Sequence, residues 1–485
     1  MNQKRPLVVD MDGSLLRTDS LHEAVAAGLR HPRRLLRAAG ALVTGGKAPM
    51  KRALSAYDVD LTRAPLRPAV RELIAKRKAA GDLVVLATGA DVGLARQIAA
   101  RVPVDDVLAS DGAVNLTGGA KAATLVERFG ENGFDYVGDS RADLAVWSHA
   151  HDRYLATSRA QGVPSWAQTV AFDAVLRDEA PPRVRTWLRA LRVHQSAKNI
   201  LIFLPLIAAH EFTDFRGILS AMGAFIAFSL MAFSVYLVND SLDLAADRSH
   251  PTKHRRPIAA GWISPATAIG VSAALTIAAL LLASVLGGAF LAVLVVYFIT
   301  TTAYSFRLKR IAVVDIVVLA LLYMIRIVAG AVVTQIPLSF WFTAVTLFLF
   351  LSLALVKRYA EAHESRTGSG KIAGRGYSGD DVSAILALGS ATGVGAVLLS
   401  AIYIQSDTVA SIYPSPSALW LIIPIAFYWV ANLWMKAGRG LMHDDPLVFA
   451  FKDRASLIAA GLLVLTFVAA SLPAVGELLP GGMLR

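Results

Sequence analysis

The chain has 485 residues, of which 55% are hydrophobic and only 17% charged, a balance that a single soluble domain rarely tolerates, so part of the chain is expected to lie in a membrane. The formal net charge of +12 comes without an aromatic and basic nucleic-acid signature, so a lipid bilayer and phosphorylated substrates are the expected partners and nucleic acid is not. The absence of cysteine excludes disulfides, thiolate metal sites and a thiol nucleophile.

The charge pattern divides the chain into two domains and a linker. Charged residues recur every few positions up to about Arg192, whereas long apolar runs alternate with short charged loops from about Asn199 onward. We therefore predict a soluble domain over 1–175, a linker with an interfacial helix over 176–198 and a membrane domain over 199–485. The opening residues MNQKRPLVVDMDGS contain an apolar stretch too short for a signal peptide, so the soluble domain is expected in the cytoplasm.

Polar side chains follow apolar, strand-like runs at several points in the soluble domain. PLVVDMDGS is a short apolar strand that ends in two aspartates, and LVVLATGAD places a threonine at the end of a second strand. A lysine follows, and FDYVGDSRAD places two more aspartates after a third strand. The candidate site residues are Asp10, Asp12, Thr88, Lys121, Asp139 and Asp143.

These motifs, in this order, resemble the haloacid dehalogenase (HAD) superfamily over about 5–160. The resemblance implies an α/β Rossmann-like domain with a parallel sheet, whose catalytic residues lie at the carboxyl ends of the strands. It also implies a helical cap, inserted after the first strand, over about 20–75. The cap sequence is basic and apolar, which favours a phosphorylated or membrane-borne substrate but is equally typical of a solvated basic helix.

The same resemblance implies a role for each candidate residue. Asp10 would be the nucleophile that forms an aspartyl phosphate, and Asp12 would be the general acid and base. Thr88 and Lys121 would hold the phosphoryl group, because a carboxylate attacking a phosphate monoester needs cationic groups to overcome charge repulsion. The implied Mg²⁺ ligands are Asp10, Asp12, Asp139 and Asp143.

Beyond the soluble domain, a hydropathy window of about 20 residues indicates roughly nine membrane spans. They lie near 199–213, 218–238, 265–284, 287–306, 312–334, 339–356, 382–404, 418–435 and 455–473. Lysine and arginine concentrate in the loops after the even-numbered spans, which predicts that these loops and the N-terminal domain are cytoplasmic. The segment 181–199 has apolar residues at helical spacing among arginines, which is typical of an amphipathic helix at the membrane interface.

The loop after the second predicted span concentrates acidic and basic residues in YLVNDSLDLAADRSHPTKHRRP, 236–257. At about 100° per residue, Asp240, Asp243 and Asp247 fall within roughly 60° of one another on a helix. Three carboxylates on one face favour a hard cation such as Mg²⁺, which also binds substrate phosphates. The basic residues that follow are Lys253, Arg255 and Arg256.

This NDxxDxxxD motif and the nine-span pattern resemble the UbiA superfamily of intramembrane prenyltransferases over about 190–480. The resemblance implies an all-α, multi-pass membrane bundle of about nine transmembrane helices. The residues implied to hold Mg²⁺ on a diphosphate leaving group are Asn239, Asp240, Asp243 and Asp247. Most aromatic-prenylating members carry a second motif, DxxxD, whereas the matching segment here has only Asp315. Arg326 lies deep in the same apolar helix, either for a phosphate or for an ion pair with Asp315.

Four sequence blocks, in order, are similar to the polyprenyl-phosphate (decaprenyl-phosphate) phosphoribosyltransferase branch of that superfamily: RVHQSAKN, the aspartate motif, YSFRLKRIAVVD and KRYAE. Members of this branch transfer 5-phosphoribose from phosphoribosyl diphosphate to a polyprenyl phosphate. The substrate-binding residues that this similarity implies are Lys198, Asn199, Lys253, Arg255, Arg256, Tyr304, Lys309, Asp315, Arg326, Lys357 and Arg358.

Together these resemblances predict a Mg²⁺-dependent transferase of the bacterial cytoplasmic membrane, with Mg²⁺ in both domains and a fused phosphatase that removes the 5-phosphate of the product. One alternative is a prenyltransferase that joins a prenyl diphosphate to an aromatic acceptor such as 4-hydroxybenzoate, although the missing second DxxxD argues against it. A second alternative is a transporter or scaffold with a regulatory phosphatase domain. Aspartates at the cytoplasmic mouth, without a paired inverted repeat, argue against this one.

Overall fold

The computed structural model describes residues 5–29, 31–55, 59–111, 114–158, 163–211, 213–365, 376–442 and 445–472. The chain forms two compact units. Unit 1 contains Met1–Arg192 and Tyr236–Ala274, and unit 2 contains Val193–Val235 and Leu275–Arg485. The segment 236–274, called the connector below, carries the aspartate motif and therefore belongs to the same unit as the soluble domain.

Unit 1 is built on a six-stranded parallel sheet with the strand order β3-β2-β1-β4-β5-β6. The strands are β1 (Leu7–Val9), β2 (Val84–Asp91), β3 (Asp106–Ser110), β4 (Asp135–Gly138), β5 (Arg153–Ser158) and β6 (Ala174–Asp178). In the middle of the sheet, Val9 pairs with Leu86 on one side and with Val137 on the other. All three residues of β1 are apolar and buried, as expected for a central strand covered on both faces. The predicted parallel α/β fold is confirmed.

Eight helices accompany this sheet in the part of the chain that the structure describes. They are α1 (Ser20–Leu29), α2 (Pro32–Gly45), α3 (Lys47–Ser55), α4 (Pro68–Ala79), α5 (Val92–Ala99), α6 (Gly119–Phe129), α7 (Leu144–Trp147) and α8 (Arg183–Ala190). Helices α1 to α3 form the insertion after β1, whereas α4 packs against β2 and β6. The segment predicted to be amphipathic, 181–199, is helical in its first part only, as α8, on which Val184 and Leu188 are exposed and Ala190 is buried. A 3₁₀ segment follows from Val193.

Twelve further helices follow in the described residues. They are α9 (Leu204–Ala208), α10 (Phe215–Leu242), α11 (Leu244–Ser249), α12 (Pro265–Leu286), α13 (Gly288–Phe306), α14 (Val314–Thr334), α15 (Phe340–Ser365), α16 (Val382–Ile404), α17 (Asp407–Ile412), α18 (Ile422–Gly438), α19 (Pro446–Ala450) and α20 (Arg454–Ala470). Seven of these, α10, α12 to α16 and α18, are long and apolar enough to cross a membrane. The predicted all-α, multi-pass membrane domain is confirmed.

The number of long spans differs from the predicted nine, because the first and last predicted spans are shorter. Through 199–211 the backbone is a 3₁₀ segment, then the five-residue α9 with Pro205 in its first turn, then His210 at φ 57°. A proline inside and a left-handed residue soon after prevent one continuous helix. The last segment forms α20, whose 17 residues span about 25 Å against a hydrocarbon core of about 30 Å.

Candidate active sites

Three neighbouring strands of the sheet place acidic and hydroxyl side chains at one edge. Asp10 directly follows β1, Thr88 lies in the second half of β2, and Asp139 directly follows β4. Because β2, β1 and β4 are adjacent and parallel, their carboxyl ends meet. These three side chains line a cavity of about 370 Å³. Asp12 and Lys121, the latter from α6, line the same cavity.

Lys121 is the buried cation of this site. Its Nζ lies 2.6 Å from Asp10 Oδ1 and 3.7 Å from Asp143 Oδ1, and it donates a hydrogen bond of 3.0 Å to the Tyr136 hydroxyl. Burial raises the pKa of Asp10 to about 6, although Lys121 opposes the shift. The sequence prediction that Lys121 joins the aspartates is supported by these contacts, and Tyr136 is an additional contributor.

Asp10, Asp139 and Asp143 offer carboxylate oxygens that all lie within 4.8 Å of one another. Ser14 Oγ donates to both Asp10 and Asp139 at 3.1 Å, which holds the two carboxyl groups side by side. Burial, with Asp10 and Asp143 nearby, raises the pKa of Asp139 well above its usual value. Clustered carboxylates in a buried setting are the donor set that Mg²⁺ prefers, so these residues fit that ion.

Two glycines make room for these carboxylates. Gly13 has φ 74°, and a Cβ at that position would overlap the Asp139 carboxylate. A Cβ at Gly138 would lie 2.7 Å from Asp143 Cγ. Asp143 is fixed by hydrogen bonds from the backbone N–H of Asp139 and Ser140 and from the Tyr136 hydroxyl, the last at 2.6 Å.

Asp12 differs from the other carboxylates in its partners. It accepts hydrogen bonds from the Ser20 backbone N–H at 2.8 Å and from the Ser20 hydroxyl at 2.9 Å, at the start of α1. Burial, with repulsion from Asp19 and Asp10, raises the pKa of Asp12 to about 8. A carboxyl group that keeps its proton at neutral pH can act as a general acid. Asp12 is outside the group of three carboxylates that could share an ion.

In the connector, the aspartate motif is not one continuous helix as predicted. Helix α10 ends at Leu242, Asp243 caps the next helix at φ −91° and ψ 16°, and Asp247 lies in α11. The three aspartates do not form a group close enough to share one ion among the described residues. The expectation of a single helical face is therefore wrong, because the break at Asp243 interrupts the 100° periodicity.

Arginines occupy the positions next to two of these aspartates. Arg256 Nη1 lies 3.1 Å from Asp240 Oδ1 and 2.7 Å from Asp247 Oδ2, and Arg192 also pairs with Asp240. Asp240 and Asp247 are both buried. Asn239 contributes its backbone carbonyl to the Asp243 N–H at 2.9 Å, and Lys253 and Arg255 are exposed in a short 3₁₀ turn. Arg192 was missed in the sequence because it precedes the motif by a whole membrane span.

Unit 2 contains a second charged cluster, around Asp445. Lys198 Nζ lies 2.8 Å and Lys357 Nζ 3.1 Å from Asp445 Oδ2, and the Tyr323 hydroxyl lies 2.8 Å from both carboxylate oxygens. Burial lowers the pKa of Lys198 to about 8, although Asp445 opposes the shift. The structure thus brings together Lys198 and Lys357, which were predicted, and Asp445 and Tyr323, which were not. The only signal for Asp445 was an acidic pair before a proline.

Arg326 does not pair with Asp315. Its Nε donates to Asn199 Oδ1 at 2.8 Å, and its guanidinium lies 5.1 Å from the centre of the Tyr297 ring. The Asn199 amide donates in turn to Ser229 Oγ at 3.0 Å. Of the two predicted alternatives for Arg326, the ion pair with Asp315 is wrong, and a polar cluster with Asn199 takes its place.

Asp315 pairs with Arg358, and both side chains are fully buried. Arg358 Nε lies 2.5 Å from Asp315 Oδ2, and Tyr304 bridges the pair, because its hydroxyl lies 2.7 Å from each partner. Arg358 also pairs with Glu361. Lys309 lies in a short 3₁₀ turn ahead of α14. Tyr304, Asp315 and Arg358 are therefore one cluster.

Two family models match this chain. Residues 200–375 match the UbiA prenyltransferase family, and residues 7–147 match the haloacid dehalogenase-like hydrolases.

Three curated relatives show how far the similarity extends. An uncharacterized protein y4nM of Sinorhizobium fredii is 34% identical over 473 residues, which cover 97% of this chain and 92% of that protein. Nodulation protein NoeC of Azorhizobium caulinodans is 31% identical over 294 residues, covering 58% of this chain and 94% of that protein. A decaprenyl-phosphate phosphoribosyltransferase of Mycobacterium tuberculosis is 43% identical over 187 residues, covering 38% of this chain and 62% of the enzyme. The match to that enzyme thus leaves out a large part of both proteins.

Proposed function

We propose that this chain, which belongs to the UbiA prenyltransferase family and carries a HAD-like hydrolase domain at its N-terminal end, transfers 5-phosphoribose from phosphoribosyl diphosphate to a polyprenyl phosphate. The HAD-like domain then removes the 5-phosphate from the lipid product. The first step gives the lipid phosphate a sugar, and the second gives that sugar a free 5-hydroxyl. The chain is a multi-pass membrane protein, and we place it in the bacterial cytoplasmic membrane with the soluble domain, 1–175, in the cytoplasm.

The observation that carries the phosphoribosyl proposal is the buried ion pair of Asp315 with Arg358. The segment that holds DxxxD in aromatic-prenylating relatives has one carboxylate here, which already pairs with an arginine and accepts a hydrogen bond from a tyrosine hydroxyl. A second Mg²⁺ site for a prenyl diphosphate therefore lacks ligands in this segment. The 43% identity to a decaprenyl-phosphate phosphoribosyltransferase, over a part of each chain, supports the same choice.

In the proposed transfer, the bond between C1 of ribose and the diphosphate breaks, and an oxygen of the lipid phosphate bonds to C1. The sugar gains oxocarbenium character, and the negative charge that develops on the leaving diphosphate needs cations. The carboxylates of Asp240, Asp243 and Asp247, which do not form one group of ligands in the described residues, would have to approach one another to hold a Mg²⁺ that neutralises part of this charge. Arg192 and Arg256, which pair with Asp240, are the fixed cations beside these carboxylates.

Lys198 and Lys357 are proposed to bind the phosphate of the acceptor lipid. Asp445 pairs with both ammonium groups and keeps them close together. Arg326 is held by Asn199 and stacks on Tyr297, so its guanidinium is fixed for a further phosphate contact. The remaining members of the proposed substrate-binding set are Lys253, Arg255, Tyr304, Lys309, Asp315 and Arg358.

In the proposed hydrolysis, a carboxylate oxygen of Asp10 attacks phosphorus, and the bond from phosphorus to the 5-oxygen of ribose breaks. Asp12 gives its proton to that oxygen and then removes a proton from the water that attacks the aspartyl phosphate. Lys121 and Thr88 hold the phosphoryl oxygens, and Ser14 keeps Asp10 beside Asp139. Mg²⁺ bound by Asp10, Asp139 and Asp143 would reduce the repulsion between the carboxylate and the phosphate.

A donor assay tests the transferase proposal. Membranes that contain the protein, supplied with Mg²⁺ and polyprenyl phosphate, should move label from phosphoribosyl diphosphate into lipid. Asp240→Ala should lose this activity, with the exposed Asp407→Ala of α17 as a matched control. Turnover of a prenyl diphosphate with an aromatic acceptor, without label transfer from phosphoribosyl diphosphate, would favour the prenyltransferase alternative.

A further inference from the structure

The connector makes several contacts with the phosphatase region inside unit 1. It joins α10 to α12, two helices long and apolar enough to cross a membrane, and it carries the aspartate motif. Its contacts involve the helical insertion after β1, the loop after β1 and the phosphatase cavity.

The first contact is a buried ion pair between Glu23 of α1 and Arg248 of α11. Two parallel hydrogen bonds of 2.8 and 2.7 Å join the guanidinium to the carboxylate, and each side chain is only 3% exposed. Arg248 also donates to the carbonyl of Ala259 at 3.1 Å. A two-pronged, desolvated pair of this kind fixes geometry strongly, and removal of one partner leaves a buried charge unpaired. Arg248 thereby ties α1 to the connector.

The second contact is made by Arg17, which lies in the segment between β1 and α1. Its guanidinium lies 4.2 Å from the centre of the Trp262 ring and donates to Asp178 at 3.1 Å. Gly261, next to the tryptophan, has φ 74°, and a Cβ there would lie 2.9 Å from both Arg17 and Pro65. The connector backbone at Gly261 therefore approaches the side chains of Arg17 and Pro65 as closely as a glycine allows.

The third contact is at the cavity itself. Ser264 lines the same cavity of about 370 Å³ as Asp10 and Lys121. Ser264 is followed directly by Pro265, the first residue of the membrane-crossing α12. The wall of the phosphatase cavity and a helix long and apolar enough to cross a membrane are therefore adjacent in the chain.

We infer that the connector contributes to the substrate-binding wall of the phosphatase site, through Ser264, which lines the cavity, and through Trp262, which stacks on the cavity-lining Arg17. These two residues favour a phosphate monoester carried by a membrane lipid over a water-soluble one. This rests on the proposed phosphatase function and adds the residues that select its lipid-borne substrate. A lipid headgroup reaches a cavity whose wall adjoins a membrane helix. The phosphorus–oxygen ester bond of that headgroup breaks, one water is consumed, and inorganic phosphate and a lipid-linked alcohol leave. Trp262 and Ser264 select the substrate, whereas Asp10 and Asp12 perform the hydrolysis.

Hydrolysis of two substrates by the full-length protein tests this inference. The substrates are p-nitrophenyl phosphate, which is small and water-soluble, and polyprenyl-phosphoryl-5-phosphoribose in phospholipid vesicles. The measured quantity is the ratio of kcat/KM for the lipid to kcat/KM for p-nitrophenyl phosphate. Trp262→Ala and Glu23→Gln should each lower this ratio about tenfold, because the wall loses its stacked anchor or its ion pair. The matched control is Glu131→Gln, which removes an exposed carboxylate paired with His149 outside the cavity and should leave the ratio unchanged.

The outcomes separate the inference from the proposed function. An unchanged ratio in both Trp262→Ala and Glu23→Gln would overturn the inference, and so would an equal loss of both activities, because the segment would then be only structural. Two variants at different contacts are used so that misfolding of one leaves the other informative, with the unfolding midpoint measured for each. Wild-type protein that hydrolyses p-nitrophenyl phosphate but not the lipid would contradict the proposed phosphatase function itself.

Discussion

Removal of the Arg358 side chain charge tests how the membrane domain neutralises Asp315. Arg358→Met keeps the length of the side chain but leaves the carboxyl group of Asp315 fully buried, without the partner that lies 2.5 Å from its Oδ2. Breaking a buried pair in this way costs about 3–5 kcal/mol. The variant also loses the 2.7 Å hydrogen bond to the Tyr304 hydroxyl, which contributes about 1 kcal/mol. The expected loss of stability is therefore about 4–6 kcal/mol.

Thermal unfolding of the purified protein in detergent is the measurement, with a drop in midpoint of roughly 10 °C expected from the relation between free energy and unfolding entropy. Asp315→Asn combined with Arg358→Met should recover part of the loss, because no unpaired charge then remains. Arg439→Met, at an exposed arginine that follows α18, is the matched control and should change the midpoint little. A midpoint in Arg358→Met equal to that of wild type would refute the ion-pair account, and so would a double variant less stable than Arg358→Met alone.

Three further results are expected. Lys121→Met should lower phosphatase kcat by about 10²–10³ while lipid transfer persists, because the buried cation at 2.6 Å from Asp10 is lost. A phosphate-release assay measures this, and unchanged release would contradict the role of Lys121 in holding the phosphoryl group. Burial lowers the pKa of Lys198 to about 8, so its charge disappears as the pH rises through 8 and KM for polyprenyl phosphate should rise between pH 7 and 9. Lys198→Arg should remove that rise, because arginine stays charged over this range. A KM that stays constant in the wild type would count against phosphate binding by Lys198. Gly13→Ala should abolish phosphate release, because the added Cβ overlaps a carboxylate of the site at φ 74°, whereas Gly40→Ala, which meets nothing within 4 Å, should not.

Much of the soluble site follows from the order of the strands along the chain. Asp10 and Asp139 each come directly after a buried apolar strand, and parallel strands that are neighbours bring such ends together. Tyr136 could not be found this way, because it lies inside β4 and reads as a core residue. Its hydroxyl joins the site only because Lys121 and Asp143, which lie in other elements, form hydrogen bonds with it.

In the connector, helical periodicity does not predict where the aspartates lie. The spacing of Asp240, Asp243 and Asp247 predicts one helical face, but the helix ends at Leu242 and restarts at Leu244, so the spacing no longer gives an angle. Helix ends depend on local capping and on what the chain packs against, and a hydropathy window records neither. The arginines that neutralise these carboxylates are therefore visible only in the folded unit.

The charged clusters of the membrane domain could not be predicted, because their partners are distant in the sequence. Asp445 meets Lys198 and Lys357 from a short loop ahead of α19, and no spacing rule links these positions. Asp315 and Arg326 lie in one apolar helix and look like natural partners, yet each pairs with a different helix or segment. Buried polar groups in a membrane domain must find hydrogen-bond partners, but the sequence does not say which ones.

Mass analysis of the lipid made by the purified full-length protein tests the two-step account most directly. Wild-type protein supplied with Mg²⁺, phosphoribosyl diphosphate and polyprenyl phosphate should yield a lipid that carries ribose without its 5-phosphate. Asp10→Asn should yield the same lipid with the 5-phosphate retained, because the transfer continues and the hydrolysis stops. Absence of a ribose-bearing lipid from both proteins, or an identical product from both, would contradict the account.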